Sequence, residues 1–177
     1  MTEIQLTQDQ VTKISDEDYA VISAHRWYAA LTVRGEYVAG SWISGRNVDM
    51  SRYLLSAPPE LTVDHIDGDK LNNQRSNIRL ATNAQNCWNG GKKLRRGKAS
   101  SKYKGVSYHS RDYVWQANIR KDYKLYYLGS FDSEEAAAVA YNTAAIEMFG
   151  EFANPNVIVA TRSSAALDNE VLEASKD

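Results

Sequence analysis

Cysteine is nearly missing from this 177-residue sequence: Cys87 stands alone. A disulfide framework and a cysteine-based zinc cluster are thereby excluded, and a reducing, cytoplasmic setting is expected. Proline is scarce as well, with three in all, and the apolar fraction of 43% is ordinary, so a mostly folded chain is expected. No apolar run approaches the roughly 20 residues that cross a bilayer, and no charged-then-apolar leader opens the chain, so no membrane partner is expected. The length suits one domain or two small ones.

An excess of one charge is missing too, but only on average. The formal net charge is −1. Residues 1–91 hold eight Lys/Arg against eleven Asp/Glu, residues 92–130 hold eleven against two, and residues 131–177 hold two against nine. A neutral protein thus carries a basic central segment, which points to a polyanionic partner; a solvated linker is the plainer alternative. The segment opens with GGKKLRRGKASSK, residues 90–102, where no hydrophobic period is visible. Residues 92–101 read as a flexible linker whose Lys92, Lys93, Arg95 and Arg96 can follow a phosphate backbone.

Beyond the linker the period becomes that of strands. Val106 and Tyr108 alternate with Ser107 and His109; Trp115, Ala117 and Ile119 alternate with Gln116, Asn118 and Arg120; Tyr126 and Leu128 face away from Tyr127. Three short strands with SRD and KDYK turns predict an antiparallel meander with one apolar face. A helix follows, with Asp132 as its cap, Glu135 in capping-box register, a stripe of Ala137, Ala140, Tyr141, Ala144 and Met148, and Gly150 as its stop. Small residues on that stripe let the helix cover the apolar face closely. The opposite face, with Lys104, Ser107, His109, Asn118, Arg120 and Tyr127, is left for a partner. Its basic, amide and aromatic groups suit the major groove of double-stranded DNA, where Arg pairs with guanine and Asn with adenine.

The N-terminal half holds the chemistry, in VDHIDGDKLNNQRSNIRLATNAQNC (residues 63–87). ELTVDHI reads as a strand, DGDKLNNQRSN as a loop, IRLA as a second strand, and TNAQNCWN as the start of a helix with Thr82 and Gln85 in capping-box register. This order brings Asp64, His65 and Asn86 toward one point. An anionic and a neutral carbonyl oxygen make a pair suited to Mg²⁺ or another divalent cation such as Mn²⁺, with water and phosphate filling the rest. A neutral His65 beside it can take a proton from an attacking water. Taken singly, DGD is an ordinary turn and loop asparagines ordinarily cap or turn.

The ordered set is more specific. Asp-His at a strand end, an asparagine twelve residues past the histidine and another twenty-one past it resemble the HNH (ββα-metal) nuclease family. With DEDYAVISAHRWYA and MSRYLLSAPP upstream, the resemblance covers nearly all of residues 1–91 and is to the homing endonucleases of phages and bacteria. It implies His65 as general base, Asp64 and Asn86 as metal ligands, and Asn77 as a brace of the loop that helps hold the imidazole. Asp67, Gly68 and Asn73 would shape the loop, and Arg52 and Arg75 are candidate phosphate contacts or plain surface arginines. Ser51 departs from the pattern, since relatives often carry His there. The stretch YKGVSYH…WQANIR…YYLGSF…EEAAAVAYNTAAIEMFG is similar to the AP-two/ERF DNA-binding family over residues 102–156, which implies a three-stranded sheet on one helix with the sheet docked in the major groove.

The expectation is therefore an α+β chain: an HNH module (1–91), a basic linker (92–101), a sheet–helix DNA-binding module (102–156) and an acidic tail (157–177). As one active set serves one phosphodiester, and no repeat or heptad seam is present, a monomer that nicks one strand is expected in a phage-infected or bacterial cytoplasm. The alternative is a DNA-binding regulator whose nuclease half is inactive, which Ser51 favours and the intact Asp64, His65, Asn77 and Asn86 oppose. His25, Trp27, Tyr28, Trp42, Tyr53 and Cys87 read as core.

Overall fold

Short alternating stretches broken by turn residues leave no room for long elements, and the N-terminal half is accordingly built of small sheets. The computed structural model of the protein describes residues 1–91 and 100–159. Strands β1 (Thr2–Gln5) and β2 (Val11–Ile14) form a hairpin whose turn holds Gln8 and Asp9 at positive φ. After α1 (Tyr19–Ser23), strands β3 (Tyr28–Leu31), β4 (Tyr37–Ile43) and β5 (Arg46–Asp49) make an antiparallel meander. Helix α2 (Met50–Leu54) leads to β6 (Thr62–His65), and β7 (Asn72–Asn73) pairs parallel with β2. Strand β8 (Ile78–Ala81) pairs antiparallel with β6, and α3 (Asn83–Asn89) follows. Ile14, Ile22, Trp27, Met50, Val63 and Ile78 form the shared core.

Two aromatic and sulfur assignments change. Trp27 is buried and His25 packs edge-on to Trp27 and Tyr53, its Nε2 3.0 Å from the Tyr53 hydroxyl, which is a structural role. Trp42, expected in the core, is 69% exposed: Ala39 and Ser41 take the inward positions of β4, so the period-2 alternation turns Trp42 outward. Cys87, also expected in the core, is exposed. Asn89 supplies the buried face of α3, and Cys87 points away from it.

In the C-terminal half β9 (Val106–His109), β10 (Val114–Lys121) and β11 (Lys124–Phe131) form a sheet of order β11-β10-β9, covered by α4 (Glu134–Phe149). Ala117, Ile119, Ala137, Ala138, Tyr141 and Ala145 are buried between sheet and helix. Gly105 makes this closeness possible: it sits at φ +76°, and a Cβ there would lie 2.0 Å from the Tyr141 ring. The helix cap falls one residue later than expected. Ser133, not Asp132, accepts from the Ala136 N–H, while Glu135 turns to the Lys102 ammonium at 3.3 Å. Gly150 ends the helix at φ +55°, as expected. Ser100 and Ser101, assigned to the linker, pack on this unit: Ser101 is buried and donates to Glu134.

The two halves touch. Trp88 stacks on Phe149 with ring centroids 4.7 Å apart, and Asn154 Nδ2 donates to the Asn89 carbonyl at 2.6 Å. The molecule is a mixed α+β protein of several small sheets and few helices. Among the described residues no helix is long and apolar enough to cross a membrane.

Candidate active site

Strand β6 ends in Asp64 and His65, so consecutive side chains leave opposite faces of a two-stranded ribbon. The Thr82 capping box is present as expected, with Thr82 Oγ1 accepting from the Gln85 N–H and Gln85 Oε1 from the Thr82 N–H, and it starts α3 at once after β8. Helix and ribbon therefore meet at Asp64 and His65, both nearly sealed, at 1% and 4% exposure.

His65 is held through a chain of hydrogen bonds that starts in β2. The Thr12 hydroxyl donates to the Leu71 carbonyl at 2.7 Å and accepts from Asn73 Nδ2 at 2.9 Å. The Asn73 amide is thereby oriented with its Oδ1 toward His65 Nε2, at 3.1 Å. An amide oxygen only accepts, so Nε2 carries the ring hydrogen and Nδ1 is left as the lone-pair nitrogen. That Nδ1 is buried and has no hydrogen-bond partner among the described residues. An orphaned buried acceptor is costly and marks an atom kept for a partner. Burial holds the imidazole below the ordinary histidine value, with the Asn73 contact pulling the other way.

Asp64 is bonded on both oxygens. Arg79 sits directly across the ribbon and places Nε and Nη2 on Oδ2 at 2.9 and 2.8 Å. Asn89 Nδ2 donates to Oδ1 at 2.9 Å and to the His65 carbonyl at 2.8 Å. Asn86 lies one turn before Asn89 on the same side of α3, is half-buried, and its side chain makes no hydrogen bond among the described residues. The oxygens that can hold a hard cation are Asp64 Oδ1, which keeps a lone pair beyond its one bond, and the Asn86 amide oxygen. Among the described residues no three His, Cys, Asp or Glu side chains gather as a cluster, so water and substrate would supply the remaining ligands.

Asn77 braces the loop between β6 and β8. Its Oδ1 accepts from the Asp67 N–H, and its Nδ2 donates to Asp67 Oδ1 and the Asn72 carbonyl. The imidazole contact expected of it belongs to Asn73 instead. Burial alone would raise the Asp67 carboxyl, but hydrogen bonds from Asn72, Asn77 and the Asp69 N–H hold it below the usual range. Arg52 spends its guanidinium on the carbonyls of Ala57, Pro58 and Leu61, and Arg75 lays its fork on the buried Asp18. Both arginines act as internal braces, and neither offers a whole guanidinium to a phosphate. Ser51 is buried on α2.

On the C-terminal sheet, register places Ser107 opposite Gln116, Asn118 opposite Tyr127 and Arg120 opposite Leu125, all on the face away from α4. Ser107, Arg120 and Tyr127 are exposed, Asn118 and His109 half-buried, and His109 Nδ1 is 3.2 Å from Asp112. Lys104 departs from this face. Its ammonium donates to the Trp88 and Gly90 carbonyls at 2.7 Å, finishing the C-terminal end of α3. Lys92, Lys93, Arg95 and Arg96 lie outside the described residues.

Sequence reasoning missed Arg79 and Asn89, and it gave Asn73 a place in the loop without its contact to His65. Arg79 had a usable signal: an antiparallel register across β6 and β8 sets it opposite Asp64. Asn73 and Asn89 had none, because their partners come from β2 and from the far side of the ribbon.

The HNH endonuclease family model matches residues 56–87, which include Asp64, His65, Asn77 and Asn86. An uncharacterised HNH endonuclease of Acanthamoeba polyphaga mimivirus is 34% identical over 149 residues, 82% of this chain and 74% of that protein. Protein 3.8 of Escherichia phage T7 is 33% identical over 97 residues, covering 54% of this chain and 76% of its own length. The AP2-like ethylene-responsive transcription factor TOE2 of Arabidopsis thaliana is 41% identical over 70 residues; the chain spans only 14% of it. No solved structure matches. With the motif in place and the mimivirus likeness running through most of both proteins, this chain is an enzyme and belongs to the HNH endonuclease family.

Proposed function

We propose that the protein is a divalent-metal-dependent, homing-type endonuclease that hydrolyses phosphodiester bonds in duplex DNA, one strand at a time. The observation that carries this reading is the His65 imidazole, tied at Nε2 and unpaired at Nδ1 among the described residues, at the strand end that also carries Asp64. A base must present an acceptor nitrogen in a fixed direction, and the Thr12–Asn73 chain supplies that orientation. Asp64 and Asn86 are the residues that would hold Mg²⁺ or Mn²⁺, in a ββα-metal arrangement of β6, β8 and α3. Bound there, the cation supplies Lewis-acid stabilisation of charge on the phosphate and leaving oxygens. His65 Nδ1 takes the proton of the attacking water. Arg79 and Asn89 keep the Asp64 oxygens aimed, and Asn77 keeps the loop from swinging across His65.

The C-terminal sheet is the DNA-binding surface in this reading. Ser107, His109, Asn118, Arg120 and Tyr127 share the face away from α4, where Arg120 can read guanine and Asn118 adenine. A partial likeness to a plant AP2-like transcription factor, over 70 residues, is consistent with an AP-two/ERF-type role. The basic residues Lys92, Lys93, Arg95 and Arg96 would follow phosphates. The protein works as a monomer in the host-cell cytoplasm.

Supercoiled plasmid incubated with the protein and Mg²⁺ should become open circle, and chelator should stop it. His65→Ala should lower the rate roughly 10²-fold or more while DNA affinity holds. Cleavage by His65→Ala near the wild-type rate would remove His65 from the mechanism.

A further inference from the structure

Arg79 makes a contact that the proposed mechanism does not require. The guanidinium, whose side chain is 15% exposed, places Nε and Nη2 on Asp64 Oδ2 and aims Nη1 the other way, at the Glu151 carbonyl, 2.6 Å off. Its Cζ lies 4.0 Å from the centroid of the Phe152 ring. Glu151 and Phe152 belong to the 3-10 turn after α4, in the C-terminal half, and Phe152 is buried. One side chain therefore spans from the sheet–helix unit to the carboxylate of the active set. A planar fork has fixed directions: when the Nη1 partner moves, Nε and Nη2 move with it.

We infer that Arg79 is a positioning residue that makes the aim of Asp64 depend on the docking of the Glu151–Phe152 turn. The inference rests on the reading of Asp64 as part of the active set. Four further contacts support docking at this place. Lys104 and Asn154 finish the carbonyls of Trp88, Gly90 and Asn89, and Trp88 stacks on Phe149, so the end of α3 that carries Asn89 is also closed by the C-terminal unit. Asp64 is thus held from one side by Arg79, braced by Phe152, and from the other by Asn89, braced by Asn154. A displacement of about 1 Å in such a group costs on the order of 10²-fold in rate. The C-terminal unit is then a working part of the nuclease centre as well as its DNA grip.

The test uses the full chain. Arg79→Gln, Arg79→Lys, Phe152→Leu and the pair Arg79→Gln/Phe152→Leu are compared with the parent in single-turnover nicking of supercoiled plasmid with Mg²⁺. Affinity for a labelled duplex and urea unfolding are measured in chelator. Arg79→Gln and Phe152→Leu should each nick roughly 10- to 100-fold more slowly with unchanged duplex affinity. The pair should be no slower than the slower single variant, and in chelator its unfolding cost should fall short of the sum of the two. Arg79→Lys keeps the charge without the fork and should recover part of the rate. Wild-type nicking by Arg79→Gln overturns the inference. So does a slow Arg79→Gln beside a Phe152→Leu that nicks normally, because Arg79 then acts on Asp64 alone. Rates that track the unfolded fraction, with no recovery by Arg79→Lys, reduce Arg79 to packing. Asp64→Asn separates the premise: if it nicks normally, the reading of Asp64 has failed and not the coupling.

Discussion

At the scale of single residues, the Asn73 amide joins two jobs, holding His65 Nε2 with its oxygen and Thr12 with its nitrogen. Asn73→Ala leaves the buried His65 Nε2 unpaired and Thr12 with its bond to Leu71 but no amide donor, which should cost about 1–3 kcal/mol and free the ring to turn. The expected outcome is nicking slowed at least tenfold with unchanged duplex affinity, together with a lower urea midpoint. Asp67 offers a pH test. Its carboxyl is held below the usual range in the fold, so its contribution to stability is complete above the unfolded value near pH ~3.9 and is lost as pH falls through the folded one. Urea midpoints of the parent and Asp67→Asn, separated at pH 6, should converge on acidification; a constant gap would refute the assignment. These residues also mark how far the sequence could be read. Asp64 and His65 declare themselves by type and order, whereas Asn73 gains its role from Thr12, brought near by the parallel pairing of Lys13 and Ile14 with Asn72 and Asn73, which no local pattern announces.

Among elements, local signals were sound where local energy decides. Thr82 and Gln85 form their capping box, and β10 keeps the alternation that predicts it, with Ala117 and Ile119 inward, whereas Tyr108 of β9 is exposed. Thr82→Ala should cost about 1 kcal/mol, measured by urea unfolding. The start of α4 was read one residue early because Asp132 and Ser133 are both capping types. Ser101 and the Lys102 N–H choose between them by taking Glu134, from 33 and 32 positions away. Trp42 shows the opposite limit: residue type says core, and the face of β4 says solvent. Gly105 ties sheet to helix most stringently. Gly105→Ala puts a Cβ against the Tyr141 ring and 2.7 Å from the Asn118 carbonyl oxygen, at a φ that L residues avoid. It should destabilise the fold by about 1–3 kcal/mol or more. The Tyr141 ring is buried with Ile119, Ala145 and Phe149, so it cannot withdraw without disturbing that core.

For the whole molecule, the proposal of one active set per chain has a kinetic signature. Open circle should form first, at a rate proportional to enzyme, and linear DNA should follow later; linear product formed directly, with a rate rising as the square of enzyme, would show a dimer. Binding should weaken steeply with salt, and Arg120→Ala should flatten the preference for one site without matching that salt effect. The path from Thr12 to His65 bears on something else, the inheritance of this chemistry. Segment 56–87 is what the family model matches, yet the hydroxyl that orients the Asn73 amide lies outside it, on β2. A recombination event that moved only the signature into a foreign scaffold would deliver Asp64 and His65 with the imidazole unlatched. Passing on the latched imidazole requires at least the N-terminal hairpin beside the signature, so the heritable unit is larger than the recognisable one.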